Sequence, residues 1–141
     1  MRQTNDTLDF LAAEGIRYCC DWVLDDLPVW MRTAHGAMIG LPYSLEINDS
    51  VIYAVEKHSS SEMHDRLVTT LETFERELAH GPRIVTLGLH PHLIAVPHRF
   101  AWLERMLDLL QARSDACFMT GTNIADWFTA SAPPEERSFV T

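Results

Sequence analysis

Three histidines, His90, His92 and His98, close an apolar run in the stretch "TLGLHPHLIAVPHRF" at residues 86–100. Imidazole titrates near neutrality, so a histidine within hydrogen-bond reach of a leaving atom can give or take its proton. A histidine at a strand end can equally bond a backbone carbonyl, and the residues alone leave both readings open. A three-histidine metal site is disfavoured, because Pro91 kinks the chain between the first two and no carboxylate accompanies them. "HSSSEMH", His58 to His64, has a spacing of six, whereas ligands on one helix face need three or four. His98 and Arg99 open a helix whose free N–H groups suit an anion, although a solvated helix terminus accounts for them as well. Asp25, Asp26, Asn48 and Asp49 are polar residues that either line a site or cap turns.

These residues need elements to position them. Leu8, Leu11 and Ala12 predict a helix over 5–14, and "IRYCC" (16–20) a short buried strand. "WMRT" and "AMIGLPYSLEI" predict a hairpin, with Pro42 placing the second strand partly at an edge. Met63, Leu67, Leu71, Phe74 and Leu78 predict a helix over 61–79 ended by Gly81-Pro82. "RIVTLGL" (83–89) is a continuous apolar run, the pattern of a strand covered on both faces. Pro97 opens a helix that buries Leu103, Met106, Leu107 and Leu110. "ACFMT" (116–120) predicts a last strand, and "TNIADWF" a last helix with Thr122 as N-cap. Strands alternating with helices imply an α/β fold with a parallel sheet. Asp21 and His90 each follow a strand, so both are expected on the carboxyl rim where function gathers.

A net charge of −9 with scattered basic residues excludes nucleic acid and anionic membrane surfaces as partners. The polar start "MRQTNDTLDF" carries no leader pattern, and no apolar run has the roughly 18 residues of a span. Cys19, Cys20 and Cys117 match neither a disulfide framework nor a zinc spacing, which points to reduced thiols in a cytoplasmic protein.

"TLDFLAAEGIRY", "CDWVLDDLP", "PYSLEIND", "LGLHPHLIAVPHRFAWLE" and "TGTNIADWF" together resemble the polysaccharide deacetylase superfamily, the nodulation-deacetylase homology domain, in its allantoinase-like branch. The resemblance covers residues 4–129. It implies a distorted (β/α) barrel that hydrolyses non-peptide carbon–nitrogen bonds, in N-acetyl sugars or ureide-like amides. It assigns His90 as the general acid on the leaving amine and Asp21 as its orienting carboxylate. Trp22 becomes an apolar wall, with Asp25, Asp26, His92, His98 and Arg99 around the substrate. Alternatively, Asp21 caps a turn and Trp22 packs in a core.

The family's early Asp-Asp and His-x3-His metal motifs and its arginine-proline motif are absent, and Tyr18 stands where the family commonly has a second Asp. The resemblance therefore identifies no cofactor in this chain, while a complete parent could hold a zinc-like divalent metal. A whole barrel needs roughly 200–250 residues, so the 141 residues correspond to a C-terminal half. The expected organisation is one partial domain over 1–131 and a loose tail over 132–141. Unpaired edges lead us to expect a homodimer or association with a missing N-terminal half, and activity only when completed. The rival expectation is a non-catalytic, degenerate homologue serving as a binding or structural subunit.

Overall fold

Thr7–Ala13 form helix α1, followed by strands β1 (Tyr18–Cys19), β2 (Val29–Thr33) and β3 (Gly36–Gly40). A π-helical turn (Ser50–Val55), α2 (Glu62–Glu77) and a 3-10 turn (Leu78–His80) come next. The short α3 (Pro91–Ile94), α4 (Pro97–Gln111), α5 (Gly121–Ser131) and β4 (Phe139–Val140) complete the order. This computed structural model describes residues 4, 6–22, 24–135 and 139–140. The fold is mixed α/β, and its contacts divide the chain into two units, residues 1–43 with 119–141 and residues 44–118.

The first unit is built on a four-stranded sheet in the order β1-β3-β2-β4. β2 and β3 pair antiparallel, as the hairpin pattern predicts, while β1–β3 and β2–β4 are parallel. The sheet is thus mixed rather than parallel, because a short hairpin can only return antiparallel. β3 lies in the interior of the sheet and ends at Gly40, so Pro42 terminates the strand instead of marking an edge. Side chains alternate across the sheet. Met31, Met38 and Cys19 face Leu8, Leu11 and Ala12 of α1, whereas Trp30 and Ile39 face Ala125 and Phe128 of α5. Trp30 donates its indole N–H to the Ala132 carbonyl at 2.7 Å, which satisfies the one polar atom of a buried ring.

α5 starts earlier than the sequence suggests. Thr120, not Thr122, is the N-cap, and its hydroxyl accepts from the Asn123 N–H at 3.2 Å. Gly121 admits the Tyr18 ring there, since a Cβ would stand 2.8 Å from the phenol oxygen. The tail expected to be loose over 132–141 instead carries β4, with Phe139 paired to Trp30 and packed on the Ala125 side of the sheet.

In the second unit, α2 and α4 enclose a core of Ile47, Ile52, Tyr53, Met63, Leu67, Leu71, Ile94 and Met106. Met63, Leu67 and Leu71 recur every fourth residue, and burying each contributes roughly 1.5–3 kcal/mol. Leu78, expected on the same stripe, is exposed because the chain tightens to a 3-10 turn at that point. Pro97 opens α4 as expected, and α3 is an additional turn before it. The two apolar segments after α2 differ most from expectation. Residues 83–89 form no ladder, only one parallel bridge from Gly88 to Asn48, and 116–120 are exposed with no strand pairing. Phe118 is 65% exposed. β-propensity in these runs has no neighbouring strand to act on among the described residues.

Candidate functional site

The second unit brings the segment 83–89 against the turn at 45–48. Gly88 N–H donates to the Ile47 carbonyl at 2.9 Å, and Asp49 N–H donates to the Gly88 carbonyl at 3.0 Å. These two bonds bring Asp49 beside His90. One carboxylate oxygen of Asp49 accepts the His90 backbone N–H at 2.7 Å, and the other meets His90 Nδ1 at 2.6 Å. Asp49 is fully buried, whereas the His90 side chain is 42% exposed. A carboxylate only accepts, so Nδ1 carries a proton in this bond, and the neutral form of the ring has its lone pair on Nε2. A buried acid thus sets the tautomer of a half-exposed imidazole, which is the arrangement of an oriented proton-transfer group.

Buried polar groups need partners. Asn48 and Asp49 are the only buried polar residues among the described ones, and they are adjacent. Asn48 Oδ1 accepts the Ser50 and Val51 N–H groups at 3.0 and 3.4 Å, starting the π-helical turn as an Asx cap does. That turn places Tyr53 in the core, where its hydroxyl donates to the Ser60 carbonyl at 3.0 Å. Burial pushes the Tyr53 phenol up, opposed by the Arg99 charge and reinforced by Asp49 and Glu62, so it stays a neutral donor. Arg99 lies over the Tyr53 ring at 4.2 Å and donates Nη1 to the Leu93 carbonyl at 3.1 Å.

The remaining sequence candidates fall as follows. His92 is exposed in α3 with its ring 5.9 Å from that of His90, edge-on. His98 is exposed in the first turn of α4. Asp21, Trp22, Asp25 and Asp26 belong to the first unit and are exposed; Trp22, 40% exposed, is not packed in a core. Asp25 caps its own turn, accepting the Asp26 N–H at 2.6 Å. Among the described residues no group of three or more His, Cys, Asp or Glu could hold a metal ion. The described residues therefore do not by themselves fit a metal. Cys19 and Cys20 are free, and burial pushes both thiols up, away from reactive thiolates. No helix among the described residues is long and apolar enough to cross a membrane.

By its residue type and neighbours alone, Asp49 fits only a rim or a turn. Its signal was the polar pair "ND" closing the apolar-edged "YSLEIND", a pair too costly to bury without partners.

The crystal structure of Puue allantoinase superposes on this chain with a TM-score of 0.86 at 27% identity, over 95% of this chain and 46% of that one. That of a Pseudomonas aeruginosa protein bearing a polysaccharide deacetylase name does so with a TM-score of 0.85 at 28% identity, again over 95% and 46%. A Schizosaccharomyces pombe protein with the same kind of name is 26% identical over 121 residues, 77% of this chain and 38% of its own length. The chain is a polysaccharide-deacetylase-like homologue. It spans about half the length of the solved homologues, and less of the yeast one. No family model matches it. In this deacetylase-like homologue the histidine of the "LGLH" motif is the one that Asp49 holds.

Proposed function

We propose that the chain is the C-terminal part of a polysaccharide-deacetylase-like hydrolase that cleaves non-peptide carbon–nitrogen bonds in N-acetyl sugars or ureide-like amides. The observation that carries this reading is the His90–Asp49 pair at 2.6 Å, in which a fully buried carboxylate presents a half-exposed imidazole. His90 Nε2 exchanges a proton at the leaving nitrogen, and Asp49 holds the ring and stabilises its charged form. Asp49 thus takes the orienting role that the family resemblance gives to Asp21. His92, its ring 5.9 Å from that of His90, lies beside the pair.

The fold reading that goes with this is a partial (β/α) barrel. Support comes from the two apolar segments without ladder partners, 83–89 and 116–120, and from a span of about half the solved homologues. The complementary half, from another chain or a longer product, pairs with these segments and supplies what activity further requires, including any divalent metal. Free cysteines support a reducing, cytoplasmic setting.

The test is hydrolysis of an N-acetylated sugar and of a ureide by the native assembly isolated from source cells. His90→Ala is expected to lower the rate by about 10²–10⁴-fold. Equal rates in the two proteins would refute the reading.

A further inference from the structure

The pair at the site depends on a contact close to each partner in the chain. Asn48 precedes Asp49, and Gly88 lies two residues before His90; the two meet in the only bridge between their segments. A Cβ at position 88 would stand 2.8 Å from Asn48 Cγ and 3.1 Å from Asn48 Cβ, well inside contact. The Asn48 side chain is buried, 4% exposed, and is tied by its Oδ1 to the π-helical turn. Gly88 is thus required for close approach and not for a special backbone angle. Both backbone bonds that bring Asp49 to His90 pass through it, from Gly88 N to Ile47 and from Asp49 N to the Gly88 carbonyl.

We propose that Asn48 and Gly88 are positioning residues for His90: their side-chain-to-backbone packing sets the register at which both oxygens of Asp49 reach the histidine. The inference rests on the hydrolase reading for its purpose but not for its test. Clearing Asn48 Cγ to ordinary contact forces the segments apart by roughly 0.6 Å at Gly88, which lengthens the 2.6 and 2.7 Å bonds together, since the same carboxylate makes both. A shift of that size takes both bonds to the outer end of the range, roughly 3.2 Å, and turns the carboxylate off their line, so the ring is released.

The readout is the imidazole itself, by proton and nitrogen NMR of the 141-residue chain. The wild-type ring is expected to show one tautomer, with the proton on Nδ1 and a low-field Nδ1–H resonance. Gly88→Ala is expected to lose that resonance and populate both tautomers while the Met63, Leu67 and Met106 methyl signals stay in place. Asn48→Ser keeps an oxygen for the π-helical turn and removes the amide group that the methyl introduced by Gly88→Ala would strike. The double variant Asn48→Ser/Gly88→Ala is therefore expected to recover the resonance. A Gly88→Ala protein with the wild-type resonance would overturn the proposal. Should that variant not fold, the double variant decides: recovery bears the proposal out, and an absent resonance or an unfolded double variant overturns it. A native assembly inactive on both substrates, together with these NMR outcomes, would refute the hydrolase reading and leave the positioning role established.

Discussion

The two units treat their acidic residues in opposite ways. In the sheet unit, Asp21, Asp25 and Asp26 lie on an exposed loop after β1, and Asp25 turns back on its neighbour's backbone. In the helical unit, Asp49 is fully buried and spends both oxygens on His90. A loop aspartate in water gives up little when its partner is removed, whereas a buried one leaves unsatisfied groups on both sides. Residue type is the same in both units. What separates them is desolvation, which makes one carboxylate a fixed orienting group and leaves the others solvated.

The widest separation is expected in catalysis. Asp49→Asn in the native assembly should lower hydrolysis by about 10²–10⁴-fold and disturb the His90 tautomer. Asp21→Asn should leave the tautomer unchanged in the same NMR spectrum, whatever it does to the rate. A tautomer that moves with Asp21 and not with Asp49 would break the comparison.

Next in size is the core that holds the site. Leu67→Ala is expected to lower unfolding free energy by about 2–5 kcal/mol, read by urea denaturation, because it hollows the α2–α4 core. A loss below about 1 kcal/mol would mean that the core repacks around the gap and is not what stiffens the pair.

The smallest effect belongs to the sheet unit. Thr120→Ala removes the side-chain cap of α5 and is expected to cost about 1 kcal/mol by the same denaturation, with the His90 resonance untouched. A shifted resonance in that variant would mean that the two units are not independent in this respect.

Much of the fold was legible along the chain. α1, the hairpin, α2 and α4 each carry their own periodicity, and Pro97 and Gly81-Pro82 mark ends by local backbone chemistry. Less legible were the segments whose structure depends on neighbours. Residues 83–89 and 116–120 read as strands by composition, yet a strand exists only in a ladder, and pairing is not a local property. The tail looked loose for the converse reason: nothing in Phe139 and Val140 announces that β2 offers them an edge. At the site, His90 could be picked out as a strand-end imidazole and from the family resemblance. Its partner could not, because Asp49 lies 41 residues away and resembles any turn aspartate.

The sequence by itself determined the helical faces, the hairpin, the acidic character and the histidine at the end of "LGLH". These follow from side-chain spacing and charge, which act over a few residues. Only the tertiary structure decided which carboxylate holds that histidine. The choice depends on which acid is removed from water, and burial is set by distant segments meeting, here through Gly88 and Asn48.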